Sequence, residues 1–307
     1  MSLICDFHAH STVSDGTLTP AELVLQAHRS GVDVLALTDH DAVAGIPEAL
    51  ARAQELGMEL LPGVELSVSE AGGKLQMHIL GLGIDPSAPL LIERIAEFRR
   101  ARLERGARIV ERLNQLGMPI RFERVREIAK HGSLGRPHIA RALVEAGLCS
   151  SEDDAFARFL RWGRRAYVPH AGLDAGGAIS LIHAVGGIAC LAHPPRSLGV
   201  DAMGGLEAFV GRLARLELDA LEVYHPSHKP QEQKRLRRLA RKHALTVTGG
   251  SDFHGDERPE VVLGRGRGEL ALGRECYDAI RERLAERQRA NLKLTVSEPT
   301  GTLARPV

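Results

Sequence analysis

Two residue pairs in this chain are spaced to grip a metal ion. His8-Ala9-His10 follows a short apolar run near the start, and Asp252-Phe253-His254 follows another near the end. In extended backbone, residues i and i+2 point to the same side, so each pair can offer two ligand atoms to one ion. Five more residues of ligand type, Asp15, His40, Glu65, His78 and His193, stand in or beside other apolar runs. Nine oxygen and nitrogen ligands exceed what one ion needs. Two ions sharing a carboxylate would use about six or seven, and three ions would use all of them. The set contains no thiolate, which points to zinc, manganese or iron at a water-accessible catalytic site rather than a closed structural zinc.

Such residues meet only if the elements carrying them end on one rim. Short β-rich runs recur at Leu3–Phe7, Val32–Thr38, Glu59–Val64, Met77–Leu82, Ile188–Ala192, Ala220–Tyr224 and Leu245–Gly250. Six of these seven finish on His, Asp or Glu, whereas Met77–Leu82 carries His78 at its start. Helical stretches such as Pro20–Ser30, Ile46–Leu56, Gly177–Ala184 and Lys229–His243 lie between most of them. Alternation of this kind predicts a parallel sheet with crossovers. Seven strands are close to a barrel, in which the C-terminal strand ends carry the chemistry.

The series is interrupted once. Residues 87–170 hold no convincing strand, and Leu91, Ile95, Phe98, Ile109, Leu113 and Leu116 fall at helical spacing. A second helix is expected from Pro137 to before Gly147, and a third after Ser151. The expected organisation is a discontinuous barrel (1–86 and 171–290), a helical insert over its active site (87–170) and a loosely held tail from Asn291 to Val307. The insert has 17 Lys and Arg against 10 Asp and Glu, while the whole chain has 40 against 39. A basic cap over an acidic barrel suits an anionic substrate held between them.

Composition excludes several classes. At 307 residues, 44% hydrophobic and 26% charged, the chain reads as an ordinary globular protein. A net charge of +1 argues neither for a coat of nucleic acid nor for a membrane surface. No apolar run approaches the roughly 18 residues of a membrane span. The N-terminus has no basic segment before its apolar residues, so no signal peptide is expected. Cys5, Cys149, Cys190 and Cys276 are scattered without a framework, the pattern of reduced thiols in a cytoplasmic protein. No protein partner is implied.

The segments DFHAHSTVSDG, ALTDHD, PGVELS, HILGLG, LAHP and GGSDFHG resemble the polymerase-and-histidinol-phosphatase (PHP) family, and the match runs through nearly the whole chain. GSLGRPHIARALVEAG and AYVPH narrow the resemblance to stand-alone PHP phosphoesterases, which include 3′,5′-nucleoside bisphosphate phosphatases and 5′-to-3′ exoribonucleases of the RNase AM type. The resemblance implies an α/β fold, a distorted (β/α)7 barrel with an inserted helical subdomain, and two or three divalent metal ions. It implies that His8, His10, Glu65 and Asp252 hold one ion. Glu65 would bridge to a second ion on His78 and His193, and Asp15, His40 and His254 would hold a third. Some members have His where this chain has Asp15, a harder ligand that favours manganese or iron over zinc.

Clustered metals serve phosphoryl transfer by activating water and neutralising oxygens, so attack by metal-bound hydroxide is expected. The chain has no GxSxG, GxGxxG or Walker A pattern, which argues against a serine nucleophile and a nucleotide cofactor. Arg136 precedes Pro137 at a predicted helix start, where guanidinium and free N–H groups can share a phosphate, with Ser133 adding a hydroxyl. Arg196 is a further phosphate contact, and His225 is either a proton donor to the leaving oxygen or a phosphate ligand. Asp252 stands with His225 as a catalytic residue. Asp39 and Asp41 are expected to orient His40. His28, His131, His138, His170, His183, His228 and His243 read as ordinary polar positions. The first expectation for function is removal of the 3′-phosphate from a 3′,5′-bisphosphonucleotide, such as pAp to AMP. Next come 5′-to-3′ trimming of short 5′-phosphorylated RNA, histidinol phosphate phosphatase, and a non-catalytic metal-stabilised module.

Overall fold

The computed structural model describes residues 3–70, 73–129, 133–169, 172–197, 204–255, 259–268, 270 and 272–297. Seven strands stand side by side in chain order: β1 (Cys5–Asp6), β2 (Val34–Leu37), β3 (Glu59–Glu70), β4 (Leu75–Leu82), β5 (Ile188–Ala192), β6 (Ala220–Tyr224) and β7 (Thr246–Gly249). The last meets the first beyond their ends. Phe7 N–H donates to Gly249 O at 3.2 Å, Asp252 N–H donates to His8 O at 2.9 Å, and Ala9 pairs in parallel with Phe253. The sheet is thus a nearly closed barrel. Gly250 permits this approach, since a Cβ there would stand 2.3 Å from the His8 Cβ.

The expected all-parallel order needs correction. β4 is antiparallel to both β3 and β5, while the other neighbouring pairs are parallel. Only four residues separate Glu70 from Leu75, too few for a crossover, so the two strands form a hairpin. Reversal explains why His78 sits at the start of its strand: that start lies on the rim where the other strands end. β3 also runs past Glu65 to Glu70, so Glu65 is a mid-strand residue.

Strand alternation sorts the core. Val34, Ala36, Leu80, Leu82, Ile188 and Cys190 pack within one cluster that Ile280 and Leu284 of the last helix close from below. Leu35, Leu37, Ile79 and Leu191 face outward into a layer shared with the surrounding helices. These helices are α1 (Pro20–Arg29), α2 (Ile46–Leu56), α7 (Ala175–Ala184), α8 (Gly205–Arg215), α9 (Pro230–Lys242) and α10 (Arg274–Ser297). α1 starts from a Thr19–Glu22 capping box followed by Pro20. α10 continues through Ser297, where a loose tail from Asn291 was expected.

Between β4 and β5 the chain forms α3 (Pro89–Gln115), α4 (Phe122–Ala129), α5 (Arg136–Glu145), α6 (Glu152–Ala155) and a π-helical turn (Phe156–Leu160). Ile109, Leu113, Val125, Leu143 and Leu160 are buried in a separate apolar cluster there. His138, read as an ordinary position, accepts the Gly135 N–H on Nδ1 at 3.0 Å and so caps α5. His131, His170 and residues 298–307 lie outside the described residues. Among the described residues no helix is long and apolar enough to cross a membrane.

Candidate active site

The barrel rim brings the nine ligand-type residues together. Four atoms form the tightest group: His8 and His10 Nε2 are 3.1 Å apart, each lies 3.2 Å from Glu65 Oε2, and Asp252 Oδ1 is 3.4 and 3.3 Å from them. The second oxygen of Glu65 faces the other way, with Oε1 2.7 Å from His78 Nδ1 and 3.1 Å from His193 Nε2. Glu65 thus presents one oxygen to each side. A third group is Asp15, His40, His254 and His10, in which Asp15 oxygens stand 3.5–3.8 Å from the ring nitrogens.

The first group, with contacts of 3.1–3.4 Å, has the spacing of ligands around one divalent cation. Two ligands about 2.1 Å from one ion stand about 3.0–3.4 Å apart at tetrahedral or octahedral angles. The Asp15 distances are too long for hydrogen bonds. His40 Nδ1, His78 Nδ1 and Asp15 Oδ1 are buried without a hydrogen-bond partner. Burial takes His40 down to about 3 and His193 to about 4, leaving neutral imidazoles. For Asp15, Glu65 and Asp252 burial pushes upward, but the adjacent histidines outweigh it and hold all three well below the carboxylate range. Buried anions and lone pairs on one rim form a donor set that a cation satisfies.

Backbone geometry is strained where the ligands leave their strands. Asp41, His193 and Asp252 have φ of 44°, 29° and 51°, left-handed values unusual for residues with side chains. His193 is held there by its N–H, which donates to Glu222 Oε2 at 2.6 Å. Glu222 Oε1 pairs with His8 Nδ1 at 2.9 Å. Asp6, fully buried, accepts N–H groups from His8, Ser251 and Gly264 and so ties β1 to the segment after β7. Sequence reasoning missed both carboxylates because each lies within an apolar strand. Their signal was a buried acid beside ligand residues.

Asp39 and Asp41 do something other than orient His40. Asp39 accepts from Ser11 N–H, Ser11 Oγ and Ser14 Oγ at 2.6–2.7 Å, which braces the turn after His10. Asp41 accepts from Ser67 N–H at 2.9 Å and from Arg102 Nε at 2.7 Å. The reason is loop direction: the left-handed turn at Asp41 aims its carboxylate at β3 and α3.

Above the rim lies a cavity of about 870 Å³. Its floor includes Asp15, His40, His78, His193, Asp252 and His254, and its roof includes Arg102, Arg105, Ser133, Arg136, Phe156 and Trp162. Burial and the neighbouring Arg136 and Arg102 lower Arg105 to about 9, and burial also lowers Arg136. Arg105 Nη2 and Ser133 Oγ are buried without hydrogen-bond partners. Arg136 is fixed by Gln76 Oε1 at 3.3 Å, and the Gln76 amide bonds the Tyr167 hydroxyl. Arg196 also lines the cavity, with Nη1 3.3 Å from Asp252 Oδ2. His225 is not among the lining residues. It is buried behind Asp252, with Nε2 3.2 Å from Oδ2 and Nδ1 accepting the Ser227 N–H at 3.0 Å.

Comparison with known proteins agrees with this geometry. Residues 6–119 match the PHP domain family. The chain is 40% identical over 266 residues to the 5′-3′ exoribonuclease Rnm of Escherichia coli, covering 86% of this chain and 89% of that protein. It is 36% identical over 251 residues to the 3′,5′-nucleoside bisphosphate phosphatase of Chromobacterium violaceum, covering 81% and 86%. A crystal structure assigned as a metal-dependent phosphoesterase from Bifidobacterium adolescentis superimposes with a TM-score of 0.78 at 34% identity, over 92% of this chain and 97% of that one. With a barrel rim built to hold cations and relatives of this similarity over most of its length, the chain belongs to the PHP family of metal-dependent phosphoesterases.

Proposed function

We propose that this enzyme hydrolyses the ester on the 3′ side of a nucleotide carrying a 5′-phosphate. Its substrates are short 5′-phosphorylated RNAs, and a 3′,5′-bisphosphonucleotide is the shortest of them. One observation carries the reading: buried Arg105 and Ser133, each with an unmet hydrogen-bonding atom, face the ligand rim beside Arg136 across a single cavity. Arg105, Arg136 and Ser133 would take the 5′-phosphate, leaving the 3′ ester over the rim. A phosphorylated amino alcohol has one phosphate and would leave one of these two anion sites unused.

The nine rim residues would hold two or three divalent ions, with Glu65 shared, and Asp15 favours manganese. Such ions, when bound, activate water and neutralise phosphoryl oxygens. His225 and Arg196 hold Asp252 in place, which favours a positioning role for His225 over a direct phosphate contact. The sequence reading put the bisphosphonucleotide first. A cavity of about 870 Å³ is roomier than one nucleotide needs, which favours the oligonucleotide. The names of both relatives fit cleavage on the 3′ side of a first nucleotide.

The test offers manganese-loaded enzyme pAp and a 5′-phosphorylated RNA tetramer at matched concentration, with Asp252→Ala as the blank. Mononucleotide released from the tetramer, and phosphate from pAp, is the expected result. Phosphate from pAp with an intact tetramer would restrict the enzyme to bisphosphonucleotides. No product from either would overturn the reading.

A further inference from the structure

Trp162 is the chain's only tryptophan, and it is 49% exposed. Large aromatic rings usually bury most of their surface, so packing does not account for this placement. The ring lines the cavity beside Arg161 and Phe156. Its distance from the phosphate-binding end is bounded by the chain itself. Arg136 Nη1 donates to Leu160 O at 3.3 Å, and its guanidinium lies over the Phe156 ring at 5.7 Å. Trp162 follows Leu160 by two residues, a reach of about 7 Å. That is about the span from a nucleotide's 5′-phosphate to its base.

We propose that Trp162 is the stacking platform for the base of the nucleotide whose 5′-phosphate Arg136 holds. This deepens the functional reading above and rests on it. The ribose lies between roof and rim, and the base turns outward from it onto the indole. The chain beyond the 3′ ester leaves from the rim, so only the first base meets Trp162. Stacking accepts any base and favours the larger purine ring. The enzyme would then bind 5′-phosphorylated nucleotides better than sugar phosphates that lack a base.

A single tryptophan makes its own probe. The holoenzyme is titrated with AMP, which has the base and the 5′-phosphate but no 3′ ester to hydrolyse. Ribose 5-phosphate and inorganic phosphate serve as controls. AMP is expected to quench the fluorescence, and the controls to leave it unchanged. By calorimetry, Trp162→Ala should weaken AMP about tenfold and leave ribose 5-phosphate unaltered, while Trp162→Phe keeps most of the affinity. Equal AMP affinity in wild type and Trp162→Ala would overturn the stacking role alone. Equal AMP affinity in wild type and Arg136→Ala would overturn the phosphate reading, and the stacking role would fall with it.

Discussion

Glu222 Oε1 lies 2.9 Å from His8 Nδ1, with both side chains fully buried, and this contact turns the other ring nitrogen of His8 toward the ligand cluster. Burial would raise the Glu222 pKa, but His8 outweighs it and takes the group to about 2, so the acceptor is ionised. The same carboxylate receives the His193 N–H. One buried acid thus orients two ligand-type residues that follow different strands.

Glu222→Gln keeps the size but sets an amide N–H against one of these donors. Outer partners of metal ligands commonly contribute about 10- to 100-fold in metal affinity. The expected outcome is a loss of that order in manganese affinity, with activity recovering at excess metal. Manganese titration by calorimetry checks it, and an unchanged affinity would refute the positioning role.

Removing metal should lower stability as well as activity. Without cations, Asp15, Glu65 and Asp252 remain buried anions close to one another's histidines. A ligand at about 100 times its Kd adds about 2.7 kcal/mol to the folded state. Thermal unfolding with chelator and with graded manganese should therefore show Tm rising with metal concentration. A flat Tm would mean that the rim holds no ion under those conditions.

Arg136→Ala should raise KM far more than it lowers kcat. Hydrogen bonds to charged groups contribute about 1.5–3 kcal/mol, or roughly 10- to 150-fold. The loss should fall on 5′-phosphorylated RNA and spare the same RNA with a 5′-hydroxyl, as steady-state kinetics on the two will reveal. Arg136→Lys should restore little, since one ammonium cannot reach both Gln76 and a phosphate.

Asp219 should govern part of the acid stability. Burial pushes its pKa upward, but His183, the Ala189 N–H and Arg287 outweigh this and lower it. A depressed folded-state pKa gives stability that is complete above the unfolded value of about 3.9 and is lost as pH falls through the folded one. Asp219→Asn should therefore be less stable than wild type at pH 7, by about 1–3 kcal/mol. That gap should narrow below about pH 4. Tm profiles of both proteins from pH 3 to 7 decide it.

How much was legible depended on local spacing. His8-x-His10 and Asp252-x-His254 declared themselves because extended backbone puts alternate residues on one side, and the structure converges them as that spacing requires. The seven strands were legible from their β-branched runs. The direction of β4 was not, because strand patterning is the same read either way and only the short link to β3 decides it. Arg102 and Arg105 were hidden among the many basic residues of the helical segment, some of which form exposed ion pairs such as Arg94–Glu97 and Arg124–Glu127. What separates them is burial over the cavity, a tertiary property.

The reversal of β4 has an architectural result. Leu82 pairs with Ile188 at the start of β5, so the chain leaves β4 at the barrel's floor, opposite the ligands. It must climb back, and α3 is the strut that carries it. From Pro89 to Arg102 the helix rises about 20 Å, and there Arg102 locks onto Asp41 and Ser67. The height of the roof is therefore set by a count of residues in one helix. Removing seven residues before Arg102 would keep the same helix face inward and draw the arginines about 10 Å toward the floor. Lengthening the strut would lift them away from the rim, so the distance from these arginines to the ligand-type residues is written in the length of α3.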